Sequence, residues 1–550
     1  MNAIPFLRSP PFPGIAPATA AISRVREAQG RQAAEVAEGV SDALLDAIAQ
    51  ARVGGMFWGH RPQGIRLVAR EGVAVPQAAR EGLARQDIGI VRGSRRVAGG
   101  VAGRLLPRPV DLWSVIGAAR SVHAAPDDEL AIVAGLLNVP VFGPDGAPVA
   151  PGMLREAARA AVAAGSYRDC FSGEAVDAAW AVAQLADWRR HLDGNRGIAA
   201  ASGMALWKRE AIRHFLWDGV CSPPFLPAEK GLRRAQREGG ALAVWPSRVS
   251  GAVLEEARVS GVAVAKVEDG FLRSKGLGAA LHPPGSVVVD RSGIYYDARS
   301  PSDMETLLAT HAFAPAEERR AACLRAMIRA SGVTKYGREA GVMIALPQGR
   351  RTVLAVGQVE DDLSVEYGGA GVAGNLDLLR RVRAAEPEAW IVYRPHPDVQ
   401  AGLRKGHLSD AAVLAVADAI DLGSPLMALV QAVDEVHVLS SLTGFEALMR
   451  DRPVTVHGMP FYAGWGLTRD LAPASGRRGR SLSLDQLVAG ALILYPRYLD
   501  PMTRLPCGPE IMVDRLASGA PSPMSWLIRL RTLQGKLRRF MTLSAEYLRG

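Results

Sequence analysis

Only four cysteines occur in 550 residues (Cys170, Cys221, Cys323 and Cys507), and no two stand at CxxC spacing. That usage argues against a disulfide framework or a thiolate zinc site and fits a reducing cytoplasm. No run of about eighteen apolar residues occurs either, so no transmembrane helix is expected. The opening stretch, MNAIPFLRSPPFPGIAPATAA, is broken by prolines and lacks a continuous apolar core, so no signal peptide is expected. A soluble or peripheral protein follows. Recognition-helix, zinc-finger and aromatic RNA-binding signatures are missing, which speaks against a nucleic-acid partner. Acidic residues fall short of basic ones, 55 against 65, leaving a net charge of +10 and a pI near 9.7. A basic balance points to an anionic partner such as acidic lipid or a phosphorylated substrate, although arginine-rich composition also follows from a GC-rich genome. The 48% hydrophobic content supports globular cores.

The chain is organised around Glu435 to Asp470, EVHVLSSLTGFEALMRDRPVTVHGMPFYAGWGLTRD. Val436 to Leu439 predicts a strand, Leu442 to Arg450 a helix, and Val454 to Val456 a second strand. Ser440 and Ser441 stand where the first strand ends and the helix begins. Unpaired N–H groups and the helix dipole can hold a phosphate at such a corner. An ordinary strand–helix corner with a serine N-cap is the plainer alternative.

Upstream, residues 1–40 are rich in proline and alanine and are expected to be poorly ordered. Ser41 to Ala51 begins a helical pattern, and Ala/apolar helical segments fill residues 110–240. Strand signals become dense from Ala241: ALAVWPSRVSG, GVAVAKVEDGFLRSKGLG, and two strands in GSVVVDRSGIYYDARSPSDMETLL, followed by a helix capped near Ser302. A long helix spans Ala316 to Ser331. A second series follows: RTVLAVGQVEDD, a helix from Asn375 to Ala384, and AWIVYRPHPDV. Alternating strands and helices predict parallel sheets, and two such series predict two Rossmann-like domains facing a cleft. The segment RSLSLDQLVAGALILYPRYLDP reads as a helix able to cross back to the first series. From Trp526 onward, Trp526, Leu530, Leu533, Leu537 and Phe540 form one helical stripe with arginines outside it. That pattern suits either an anionic membrane surface or packing on its own domain.

An internal repeat is also present. Trp58, Arg61 and Gly64 recur as Trp245, Arg248 and Gly251; Gly89–Arg92 resembles Gly270–Arg273; Ser121–Val141 echoes Glu435–Val454. Each match is short, but their shared order favours a duplication. The first copy lacks the Ser pair and reads as shortened and disarmed.

Polar residues cluster after the second copy's strands: Glu360, Asp361 and Asp362; His396 and Asp398; Ser440 and Ser441; and, from the facing domain, Glu268, Asp269 and Arg273. Each alone is an ordinary cap or loop residue, but parallel sheets collect ligands at these strand ends. A carboxylate can attack an anomeric carbon while a second serves as acid/base. A histidine beside hydroxyls can hold a leaving phosphate. Asp361-Asp362 could imitate a metal-binding pair, but metal-free transfer of a sugar from a nucleotide is the preferred chemistry.

The motifs VEDGFLRSKGLG, DRSGIYYDARSPSDME, GQVEDDLSV, YRPHPDVQAGLRKG, SSLTGFEAL, GMPFYAGWGLTRD and LILYPRYLDP resemble those of the bacterial capsule β-Kdo transferases of the KpsC type. The resemblance covers about residues 240–505. It implies an α/β, GT-B-like fold with two Rossmann-like domains, CMP-Kdo as donor, no cofactor, and retaining transfer of Kdo. A lyso-phosphatidylglycerol-type glycolipid would be the acceptor, at the anionic inner-membrane surface. It also implies Asp362 as nucleophile with Asp361 as fallback, and Glu268 as acid/base. His396, Ser440, Ser441, Gln358 and Glu446 would hold the donor, with Arg273 and Lys335 as partners for the Kdo carboxylate or phosphate. The alternatives are another CMP-activated ulosonic acid, or a non-catalytic role in capsule assembly or export. Members usually carry two complete modules. The expected division here is 1–40 poorly ordered, 41–200 a truncated degenerate module, 201–345 and 346–515 the two Rossmann-like domains, and 516–550 a basic amphipathic tail. One linkage activity is expected, with a second capsule Kdo transferase or export proteins as further partners.

Overall fold

The computed structural model describes residues 5–25, 39–93, 101–272, 283–333, 341–402, 404–473 and 475–519. Arg273, Lys335 and the tail from Trp526 lie outside these residues. The chain forms two compact units, one of Met1–Arg196, Leu216–Pro223 and Thr503–Pro506, the other of the remainder.

In the first unit, the helix Asp42–Ala51 starts where Ser41 accepts a hydrogen bond from the Leu44 amide. Strands β1 (Leu67–Arg70), β2 (Ile88–Val91), β3 (Arg104–Leu105), β4 (Ser121–His123) and β5 (Val141–Phe142) form a parallel sheet in the order β3-β2-β1-β4-β5. The expectation of a poorly ordered N-terminus fails for residues 5–25. Phe6, Leu7, Phe12 and Ile22 are buried in this unit's core, Phe12 meets Trp188 edge to face at 5.0 Å, and Ser23–Val25 pairs with residues 165–167. Proline and alanine content mimics disorder, but four large apolar side chains supply the burial that orders the segment.

The second unit holds two sheets. Strands β6 (Ile198–Ser202), β7 (Ala241–Val244), β8 (Val264–Asp269) and β9 (Ser286–Asp290) belong to the first, joined by a later strand, β16 (Arg497–Leu499). The second sheet is β10 (Thr352–Val356), β11 (Trp390–Arg394), β12 (Ala419–Ile420), β13 (Glu435–Val438), β14 (Val454–Val456) and β15 (Arg469–Asp470), in the order β12-β11-β10-β13-β14-β15. All its pairings are parallel. Its central strands are continuous apolar runs because helices cover both faces of such a sheet. The first sheet is mixed rather than parallel throughout: β8 pairs with β9 antiparallel, a return that needs no crossover helix.

Two readings of the sequence are corrected here. GSVVVDRSGIYYDARSP supplies one strand, β9, not two. Asp290 ends it by accepting hydrogen bonds from the amides of Ser292, Gly293 and Asp303, so Tyr295 and Tyr296 lie on a loop. The helix from Leu484 runs through a π-helical turn at Ala489–Leu494 into β16 (Arg497–Leu499), which pairs with β9. The return to the first sheet is thus made by an added strand as well as a helix.

The repeat is only partly structural. The β4–helix–β5 segment occupies the same fourth and fifth places, in chain order, as β13–helix–β14, in sheets that share one strand order. The other two matches fall on different elements: Trp58 precedes β1 whereas Trp245 follows β7, and Gly89 lies within β2 whereas Gly270 follows β8. The first unit's sheet therefore resembles only the second sheet of the later unit. Where the later copy has its Ser pair, Asp128 caps the helix Glu129–Leu136 and ion-pairs with Arg70.

His437 on β13 and His457 after β14 are buried, with Nδ1 and Nε2 3.1 Å apart. Burial, with the neighbouring His437 charge second, pushes the His457 imidazole down to about 4. A depressed imidazole pKa favours the neutral form in the fold. Its stabilisation is fully present above the unfolded value near 6.5 and is lost as pH falls toward 4, by about 2–3 kcal/mol. Urea denaturation at pH 7.5 and 4.5 should show His457→Gln losing less stability than wild type by that amount. A wild-type-minus-variant difference independent of pH would contradict it.

Candidate active site

A cavity of about 590 Å³ lies in the second unit, lined from both of its sheets. It gathers Glu268, Gln358, Asp361, Asp362, His396, Asp398, Ser440, Ser441 and Glu446. Those residues come from four strand ends and one helix, which is the placement expected of a doubly wound domain.

Gln358, just past β10, is held on both sides. Its backbone N–H donates to Asn375 Oδ1 and its carbonyl accepts from Asn375 Nδ2, each at 2.9 Å. Its side chain then spans to Ser440, accepting from the Ser440 amide at 2.8 Å and donating to Ser440 Oγ at 3.1 Å. Ser441 is the N-cap of the helix Leu442–Leu448: its hydroxyl accepts from the Thr443 amide at 3.2 Å and donates to Thr443 Oγ1 at 3.1 Å. The plainer cap reading of this serine therefore holds locally, even though the residue faces the cavity. His396 caps the turn Pro397–Gln400, its Nδ1 accepting from the Asp398 amide at 3.1 Å.

The two adjacent aspartates do not form a pair. Asp361 is 45% exposed and ion-pairs with Arg404 at 3.0 Å. Asp362 caps the helix Leu363–Gly368, with Oδ1 accepting from the Ser364 amide at 2.9 Å and from Ser364 Oγ at 2.7 Å. Both bonds use the same oxygen, Oδ1, of a residue that lines the cavity. Glycine is required where Met459 N–H donates to Gly368 O at 2.8 Å, because a Cβ on Gly458 would lie 2.4 Å from that carbonyl oxygen. This close approach ties the helix bearing Asp362 to the end of β14.

The facing wall carries Glu268 and Asp269 at the end of β8. Lys208 Nζ lies 2.9 Å from Asp269 Oδ1 and 3.5 Å from the centre of the Trp245 ring. Tyr296, from the loop held by Asp290, is buried, and its hydroxyl has no hydrogen-bond partner among the described residues. Burial raises its pKa, and the charges of Glu268 and then Asp362 raise it further. The two carboxylates thus act on one phenol from opposite sheets. Sequence reasoning missed Tyr296, read there as strand, and also missed Lys208, Trp207 and the paired Arg394, which nothing local in the sequence marks.

Glu386, Glu435 and His437 lie close enough together to share a cation. Arg351 already ion-pairs with both carboxylates, and Glu435 begins β13, at the opposite end of that strand from Ser440.

Residues 240–336 and 324–498 match the family described as capsule polysaccharide biosynthesis protein. The solved β-Kdo 2,7 transferase part of Thermosulfurimonas dismutans KpsC is 35% identical over 58% of this chain and 99% of that one, with a TM-score of 0.48. The chain belongs to the capsule polysaccharide biosynthesis protein family. The β-Kdo 2,4 transferase part of the same KpsC is 30% identical over 58% of this chain and 98% of that one, with a TM-score of 0.50. The capsule polysaccharide modification protein LipA of Neisseria meningitidis serogroup A is 39% identical over 337 residues, 61% of this chain and 48% of LipA. The lipopolysaccharide-processing protein LpsZ of Rhizobium meliloti is 46% identical over 244 residues, 44% of this chain and 55% of LpsZ. The chain spans about half the length of these two relatives.

Proposed function

We propose that the chain is a retaining glycosyltransferase that moves Kdo from CMP-Kdo to the glycolipid end of a capsular polysaccharide, with no cofactor or metal. The observation that supports this best is the pairing of Glu268 and Asp362 across one cavity, each from a different sheet. The likeness to two KpsC transferase parts supports Kdo as the sugar.

Asp362 attacks the anomeric carbon of Kdo, and the bond to the phosphate oxygen breaks with its electron pair leaving on CMP. A covalent glycosyl ester results. Glu268 then takes the proton of the acceptor hydroxyl, whose oxygen attacks the same carbon and displaces Asp362. Two inversions give net retention. CMP leaves as a phosphate monoester and needs no proton, so the base is required in the second step only. Gln358, Ser440, Ser441, His396 and Glu446 hold the nucleotide: the Asn375–Gln358–Ser440 lattice fixes donors and acceptors at one place before substrate arrives.

The acceptor is a lyso-phosphatidylglycerol-type glycolipid, which places the reaction at the anionic inner-membrane surface. Among the described residues no helix is long and apolar enough to cross a membrane. A second Kdo transferase or export proteins would receive the product. Incubation of the purified protein with freshly generated CMP-Kdo and a Kdo-bearing glycolipid, followed by mass spectrometry, tests the reading. Addition of one Kdo and then a stop is expected. Uptake of sialic acid but not Kdo from its CMP donor would instead identify another CMP-activated ulosonic acid as substrate.

A further inference from the structure

Among the described residues four cations line the cavity: Lys208, Arg248, Arg394 and Arg404. Three are already neutralised. Lys208 pairs with Asp269, Arg394 with Asp421, and Arg404 with Asp361. Arg248 alone has no ion-pair or hydrogen-bond partner for its side chain among the described residues, and it is exposed. It ends the turn Pro246–Arg248 that follows β7, so it belongs to the sheet that also bears Glu268, and not to the sheet that bears Gln358 and Ser440.

Its neighbours on that wall are two indoles. Trp245 is buried with Lys208 Nζ 3.5 Å from its ring centre, and the same ammonium lies 5.1 Å from the ring centre of Trp207, which is half-buried and lines the cavity. A half-open indole offers an apolar face to the C–H face of a sugar ring. A free guanidinium offers two parallel donors to a carboxylate or phosphate. We infer that Arg248, with Trp207, forms an acceptor subsite that recognises an anionic group on the sugar or glycolipid about to be extended. The placement on the same wall as Glu268 fits this, because the base must meet the acceptor hydroxyl while the nucleotide is held across the cavity. A carboxylated terminal sugar is the ligand class favoured, since the indole needs a ring next to the charge.

The inference deepens the transferase reading and rests on it. In steady-state transfer to a Kdo-terminated acceptor, Arg248→Ala should raise the acceptor KM about 10- to 100-fold, the loss expected for one charge-assisted contact. The KM for CMP-Kdo should move less than twofold. Arg248→Lys should recover part of the loss, because an ammonium keeps the charge without the fork. An unchanged acceptor KM, or a rise confined to the donor KM, would overturn the assignment. Two competitors separate the sources of charge. If a Kdo methyl glycoside inhibits wild type more than Arg248→Ala, the carboxylate is the group bound. If only glycerol 3-phosphate does so, the glycolipid phosphate is, and the choice of a carboxylated sugar is wrong. Calorimetric titration of the methyl glycoside without donor keeps the two proposals apart. Arg248-dependent binding in a protein that transfers no Kdo would defeat the reaction proposed above but not the subsite. Transfer with Arg248-independent binding would defeat the subsite alone.

Discussion

Asp362→Asn should lower Kdo transfer by at least about 10³-fold while leaving the protein folded, the size of loss seen when a covalent nucleophile is removed. The expectation of an intact fold comes from the residue's local role. Asp362 caps the helix Leu363–Gly368 through Oδ1, and asparagine is an equally good N-cap with its own carbonyl oxygen. The amide keeps the bond to the Ser364 amide and lacks only the charge needed to attack carbon. Asp361→Asn is the matched control. That side chain is nearly half exposed and bound to Arg404, and an exposed pair contributes little, so rates should change less than about threefold. Transfer rates and circular dichroism on both variants check this. Full activity in Asp362→Asn, or a loss in Asp361→Asn as large as that expected for Asp362, would move the nucleophile.

Glu268→Gln should reduce turnover by about 10²–10⁴-fold, the usual contribution of a positioned acid/base. Its signature differs from that of Asp362. Formation of the glycosyl ester needs no base, so the variant should accumulate a covalent adduct one Kdo residue heavier than the free protein. Azide, which attacks without giving up a proton, should release that adduct and restore turnover. Glu268 sits beside Asp269, which is bound to Lys208, itself against the face of Trp245, so the loss must be shown not to come from disturbing that cluster. Asp269→Asn serves this purpose: it should lower thermal stability more than Glu268→Gln and yield no adduct. Intact-protein mass spectrometry after a short incubation with CMP-Kdo decides the matter, and absence of an adduct in Glu268→Gln would remove this residue from the second step.

Each expectation turns on how the same residue types are used differently in the two units. The first unit carries a sheet of the same strand order as the second sheet of the later unit, but its strand ends are closed by its own ion pairs, such as Arg70 with Asp128. In the later unit the corresponding helix is capped by a neutral serine, and Gln358 and Ser440 present hydrogen-bonding groups to a cavity. Sheets of one strand order thus carry ion-paired charges at a strand end in the first unit and uncharged hydrogen-bonding groups lining a cavity in the later one.

The amino-acid sequence by itself determined the elements and their polarity. Apolar runs such as Val353–Val356 and Val436–Val438, each followed by polar residues and a helix, can bury both faces only in a parallel sheet, and that places Asp362, His396 and Ser440 at one edge. Helix starts at Ser41, Ser302 and Ser441 were legible because a cap is a local event between residues two or three apart. The tertiary structure alone decided the rest. It ordered residues 5–25 through buried contacts with distant residues such as Trp188, turned Tyr295 and Tyr296 out of a strand through the buried Asp290, and made the antiparallel β8–β9 return. It also decided which aspartate is occupied by Arg404 and which cavity cation has no partner among the described residues, since Arg404 and Asp361 are forty-three residues apart and Lys208 and Asp269 sixty-one. Charges that find one another over such separations leave no trace in local periodicity, and the site's electrostatics are settled by those pairings.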